Sequence, residues 1–360
     1  VIQIPAFPGI PETPGAGNDL RRPQNKQKIT MAVSIEDIKK LRKMTGAGMM
    51  DCKNALAETD GDIQGAIEII RKKGQAVAAK REDRDAAEGC VLAETKPGFG
   101  AIAALKCETD FVAKNESFRA LTKTILDAAV AASAKSLDEV KALKVDGRTV
   151  EELITDEIGK TGEKMELGAY EWIEAPTVAA YEHLGNKLAT IIGLTAEGID
   201  PYVGKEVAMQ VAAMNPVAAT RGQVPASLIE EEKNVAIEKT KAEQVQKAAE
   251  AALRKAGLNP NHFDSEDHIA SNVAKGWLTE EAAEKGRAIM KEAAEKKAAN
   301  MPQAMIDNIV NGRINKYYKE NVLVEQEYHR DAKLTVGQYL EQTEKGLTVA
   351  EFRRVNLNQD

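Results

Sequence analysis

The chain has 360 residues, 43% hydrophobic and 29% charged, which is enough for two or three compact units. Its formal charge of -7 argues against general nucleic-acid binding, which rests on phosphate neutralisation by Lys and Arg. The three cysteines, Cys52, Cys90 and Cys107, are odd in number and contain no Cys-x-x-Cys pair. That argues against a disulfide framework or zinc site and fits a reducing cytoplasm, and no apolar run is long enough to cross a bilayer.

Residues 1–30 carry Pro5, Pro8, Pro11, Pro14 and Pro23 without apolar periodicity. They read as a disordered Pro-rich tail or as read-through from an upstream start, with Met31 as the ordinary first residue. Residues 31–80 predict three short helices. Ser34 and Asp37 open the first, with Ile35, Ile38 and Leu41 inward and Gly46 as its stop. The second starts near Met49 with Cys52 and Leu56 inward. The third follows Gly61-Asp62, with Ile63, Ala66, Ile67 and Ile70 inward and Gly74 as its stop. A charged helical linker, Gln75 to Ala87, leads into a core subdomain over 81–172. There, Gly89 to Thr95 and Ala101 to Lys106, joined through Pro97-Gly98, predict a hairpin. Phe118, Leu121, Ile125, Leu126 and Ala129 mark an amphipathic helix after it. Leu137 to Thr161 reads as helical and Met165 to Glu174 as a strand.

The hairpin-plus-helix pattern then recurs. Val178 to Tyr181 and Leu188 to Leu194 flank a turn, and a helix follows with Val203, Val207, Val211 and Met214 inward. Two related subdomains, each a small sheet covered by helices on one side, give an α+β fold. The second comprises 173–226 and 321–345. Between its parts, residues 227–320 are rich in Ala, Glu, Lys and Gln and predict helices over Leu228 to Ala256, Ser265 to Lys275, Thr279 to Asn300 and Pro302 to Tyr318. The best seam in the first is Val235, Ala242, Val245, Ala249 and Leu253, which favours an inserted helical (coiled-coil) hairpin. Residues 346–360 read as a C-terminal strand module.

Two strings narrow the function. Cys107-Glu-Thr-Asp-Phe-Val-Ala-Lys-Asn115 places a large aromatic on a strand-to-helix loop, where residues tend to be exposed. The ordinary alternative is a Phe111 folded into its own core. Leu41-Arg-Lys-Met-Thr-Gly-Ala-Gly-Met-Met-Asp-Cys-Lys53 spans the first two predicted helices. Both resemble signature strings of the elongation factor Ts family, as does the Thr335-Val-Gly-Gln-Tyr-Leu340 segment, and the resemblance covers Met31 to about Leu357. It implies a three-helix ubiquitin-associated-like domain, a duplicated core, and a non-enzymatic exchange activity on the GTPase elongation factor Tu. It also implies a magnesium-dislocating loop of Thr109, Asp110, Phe111 and Val112. Leu41, Arg42, Met49 and Met50 would dock the N-terminal domain, and His183 and Gly185 a second core loop. The family usually has glycines where Asn186 and Ala189 stand, and the helical insertion here is longer than usual. A homodimer through the second subdomain or the insertion is a further partner to test.

No P-loop, dinucleotide fingerprint, Gly-x-Ser-x-Gly elbow or His-Glu-x-x-His helix occurs, and the four histidines are scattered. The residues therefore call for no cofactor, metal or catalytic set. The other reading is a non-catalytic interaction module that uses the three-helix unit and the insertion.

Overall fold

The computed structural model describes residues 33–358, so the Pro-rich stretch 1–30 lies outside the described residues. The chain divides into two units at Ile70/Arg71. In the first, α1 (Ile35–Thr45), α2 (Met49–Glu58) and the start of α3 (Ile63–Arg81) enclose Ile38, Leu41, Ala47, Cys52, Ala55, Leu56 and Ala66. Ser34 Oγ accepts the Asp37 N–H at 3.0 Å, and Gly46 ends α1 at φ 69°. Ile35 is not inward: on the first turn, ahead of the packed stretch, it is 70% exposed.

Gly74 does not stop α3, which continues to Arg81. Gly74 instead lets the helix approach α7 (Val150–Thr161), where a Cβ built on Gly159 would lie 2.9 Å from the Gly74 Cα. The glycine is there for close backbone contact, not for a cap.

Two three-stranded antiparallel sheets form the centre of the second unit. In one, β1 (Glu88–Lys96) and β5 (Met165–Glu174) flank β2 (Phe99–Cys107). Before β5 come α4 (Asp110–Ala113), α5 (Glu116–Ala132), α6 (Leu137–Ala142) and α7. The stretch Leu137 to Thr161 is not wholly helical, because β3 (Lys144–Val145) and β4 (Arg148–Thr149) make a tight hairpin between α6 and α7. In the other sheet, β6 (Thr177–Glu182) and the last strand flank β7 (Leu188–Leu194). After β7, α8 (Pro201–Met214) buries Val203, Val207 and Val211, whereas Met214, on its last turn, is 53% exposed.

Ala101, Ala103 and Leu105 of β2 pack with α5, α6 and α7 residues such as Phe118, Val140 and Ile154. Ile102 and Ala104, on the opposite face, join Val91 and Ile173 against Ala189, Ile191 and Val355 of the second sheet. β2 is thus buried on both faces, which is why it reads as a continuous apolar run. The layers run helix, sheet, sheet, helix.

The insertion contains α9 (Ala226–Lys255), α10 (Glu266–Ala274), α11 (Glu280–Ala299) and α12 (Gln303–Asn321). Ala236 meets Ile306, Val310 and Ile314 of α12, and Leu253 joins Phe263, Ile269, Leu278 and Ala283 at the far end. Val235, placed in the predicted seam, is 60% exposed, and Ala236 faces the partner helix in its stead. After α12 come β8 (Glu327–Tyr328), β9 (Asp331–Thr335), α13 (Val336–Thr343) and β10 (Val349–Asn356). β10 is no separate module: its backbone pairs with β7 from Val349↔Leu194 to Asn356↔Leu188.

Gly159→Ala tests the helix contact. Ala in an unhindered helix interior would stabilise by about 0.5–1 kcal/mol. Here the overpacking should cost about 1–3 kcal/mol, so a lower urea midpoint is expected.

Candidate functional site

The string around Phe111 forms one helical turn. Thr109, extended at φ -123° and ψ 154°, caps α4, and its Oγ1 accepts the Val112 N–H at 3.4 Å. On so short a turn successive side chains point in different directions. Ala113 is buried and Val112 packs against the core of the first subdomain, whereas Phe111 is 83% exposed. The core alternative for Phe111 is thereby set aside. Immediately beyond, Asn115 caps α5 through its Oδ1, which accepts the Ser117 N–H at 3.1 Å.

The polar side chains of the loop are held. Lys114 Nζ donates to Asp110 Oδ2 at 2.6 Å, and this bond draws the Asp110 carboxyl below its ordinary range. Thr109 donates its N–H and its hydroxyl to the two Glu163 oxygens at 3.0 and 2.7 Å. Glu108 accepts from Arg81 Nη1 at 3.1 Å and from the Lys164 N–H at 2.6 Å. Burial, with the Glu163 charge second, pushes the Cys107 thiol up to about 12, and burial, helped by the Glu182 charge, outweighs the cations near Cys90 and pushes it to about 11.

The β6–β7 turn is the second predicted loop. Tyr181 Oη and His183 Nδ1 are 2.9 Å apart, and His183 is exposed. Gly185 and Asn186 both have positive φ, 93° and 55°. Asn186 therefore occupies a left-handed position that glycine favours and Asn tolerates. Both loops lie at one end of the sheets. Glu88 is the ladder partner of Cys107, the residue before the first loop, and its carboxylate takes the Lys187 ammonium from the second. The Val91 N–H also donates to the Asn186 carbonyl at 2.8 Å.

In the N-terminal unit, Met49 and Met50 are 55% and 63% exposed and Arg42 is exposed. Leu41 is the exception among the predicted docking residues: its side chain is fully buried, so it supports the unit from inside and presents nothing to a partner. Two residues escaped the sequence reading. Leu184, 94% exposed, forms the tip of the second loop, and the signal was available as an apolar residue inside a polar turn. Glu163 is distant in sequence from Thr109, and no local spacing rule connects them. Among the described residues, no group of three or more His, Cys, Asp or Glu is arranged to hold a metal ion. Nor is any helix among them long and apolar enough to cross a membrane.

A family model described as Elongation factor TS matches residues 108–256 and 244–359. The elongation factor Ts of Parabacteroides distasonis is 55% identical over 328 residues, 91% of this chain and 99% of that protein. That of Bacteroides fragilis is also 55% identical over 328 residues, with the same coverage. The Porphyromonas gingivalis protein is 46% identical over 331 residues, 92% of this chain and 100% of its own length. The chain belongs to the elongation factor Ts family. As a member of the elongation factor Ts family it is a factor of translation elongation in protein biosynthesis.

The raised thiols set a pH dependence. A folded thiol held at about 11 or 12 stays protonated where the unfolded chain, near 9.0, already ionises. Stability is complete below about pH 9 and falls as pH climbs through about 11. Urea midpoints measured across that span should decline, and replacing Cys90 and Cys107 with Ala should flatten the decline.

Proposed function

We propose that the chain is a guanine nucleotide exchange factor that binds elongation factor Tu in its GDP form, displaces the magnesium ion and releases GDP. The observation that carries this reading is Phe111, an aromatic side chain 83% exposed on a turn whose neighbours are capped, buried or hydrogen-bonded. An exposed ring on a held backbone is suited to burial in a partner, since little order remains to be imposed on binding.

Such a protein makes and breaks no covalent bonds. It acts by binding the nucleotide-free partner more tightly than the nucleotide-bound one, and linkage then requires that it weaken nucleotide binding by the same factor. Burying one Phe supplies about 1.5–3 kcal/mol. Each tenfold gain in release needs about 1.4 kcal/mol. Phe111 alone therefore accounts for at most about a hundredfold, and the remainder falls to disturbance of the cation and phosphate site, whose electrostatics are large. Asp110, beside Phe111 on the same turn, brings a negative charge to that cation. Thr109 and Val112 hold the turn. His183 and Gly185 on the second loop, with Arg42, Met49 and Met50 on the N-terminal unit, supply anchoring. Flexible, exposed methionines suit such a surface. The buried, unpaired thiols agree with work in a reducing cytoplasm.

Phe111→Ala and Asp110→Ala should fold and still associate with the GTPase. Both should lose most of the acceleration of GDP release, with Phe111→Ala slower by about tenfold to a hundredfold. Stopped-flow release of a fluorescent GDP analogue measures this, and wild-type rates for both variants would defeat the assignment.

A further inference from the structure

The last ladder pair between β2 and β5 is Cys107↔Met165. Past it the two strands separate, yet their backbones stay tied. The Lys164 N–H donates to Glu108 Oε1 at 2.6 Å, and the Thr109 N–H donates to Glu163 Oε2 at 3.0 Å. Each strand thus offers one carboxylate to the backbone of the other. Side-chain oxygens continue the ladder where backbone carbonyls have moved out of reach.

We propose that this reciprocal pair of carboxylates is a clamp that fixes the pose of the Phe111 turn, with Glu163 as its positioning residue. The proposal rests on the exchange-factor reading and names the group that makes the wedge rigid. A single helical turn cannot sustain itself, because it fixes several residues for one or two hydrogen bonds. α4 has four residues, Asp110–Ala113, so its orientation must come from outside. Glu163 provides it by accepting both donors of the capping residue, the Thr109 N–H and, at 2.7 Å, the Thr109 hydroxyl. With its proton committed to Glu163, the hydroxyl has a lone pair directed to the Val112 N–H. The Thr109 carbonyl accepts from Ala113 N at 3.2 Å and Cys107 Sγ at 3.2 Å. Every polar atom of the cap is therefore engaged, and the Glu163 carboxylate alone binds it to the rest of the fold at two atoms. The Asp110–Lys114 bond, by contrast, lies within the turn and its flank and gives no reference to the scaffold.

The test is stopped-flow release of a fluorescent GDP analogue from elongation factor Tu, with the full-length chain titrated to saturation. Glu163→Ala should lower the saturating rate about tenfold and leave the half-saturating concentration unchanged, since hydrogen bonds to charged groups are worth enough for that factor. Glu163→Gln keeps an oxygen for the Thr109 N–H and should retain most of the rate. In a Phe111→Ala background, Glu163→Ala should cost less than it does alone, because the two act through one turn. Should Glu163→Ala not fold, Thr109→Val, which removes only the hydroxyl, should show the same loss of saturating rate. A slowed Phe111→Ala beside an unchanged Glu163→Ala would overturn the clamp and spare the exchange reading. Losses that multiply in the double variant would also overturn it. An unchanged Phe111→Ala would bring down the wedge role of Phe111 and the clamp with it, whereas no acceleration of GDP release by the unaltered chain would bring down the exchange reading itself.

Discussion

The burial of β2 on both faces is the constraint on which the remaining architecture depends. Ala101, Ala103 and Leu105 take one side of it, Ile102 and Ala104 the other. A strand gripped this way cannot slip by one residue without reversing every side chain. Its last residue, Cys107, is therefore set in space to within the tolerance of close packing. Phe111 follows four positions later. The exposed ring is as well placed as it is because the strand behind it is among the most deeply buried in the protein.

The same packing joins the two loops. The second sheet stacks on the first through Ala189, Ile191 and Val355, and β7 is the strand that follows the His183–Lys187 turn. Glu88 meets Lys187 at the shared edge. Two copies of a hairpin-plus-helix unit packed back to back thus bring two turns distant in the chain to one end of the molecule. A partner meeting that end engages both on one rigid surface, at little cost in ordering.

Much of this was legible in the sequence, for local reasons. Ser34 is a capping residue whose helix starts where its side chain allows. The alternating and continuous apolar runs located β1, β2, β5, β6 and β7. Errors arose where a residue had a non-local task. Gly74 has the chemistry of a stop, but its use is set by Gly159. Leu41 was placed inward by the helix periodicity and outward by the resemblance, and the structure follows the periodicity. β10 read as a lone strand because its partner, β7, lies far back in the chain. The Glu163 contact with Thr109 has no pattern at all, since two residues meeting at a frayed strand end share no period. One miss was avoidable: Asp146-Gly147, both with positive φ, is a two-residue hairpin turn of a recognised kind.

The ends of the inserted helical arm lie side by side. The Val217 N–H donates to the Asn321 carbonyl at 2.8 Å, Ala218 and Val322 form a parallel bridge, and the Leu323 N–H donates back to the Ala218 carbonyl at 3.0 Å. The departing and returning chains are stapled at the root, and the arm has its own apolar clusters along its length and at its far end. Whole turns can therefore be gained or lost in pairs beyond that root, since loop closure depends only weakly on length and no strand of the sandwich registers the change. Such an arm can change in length while the two loops at the end of the sheets keep their places.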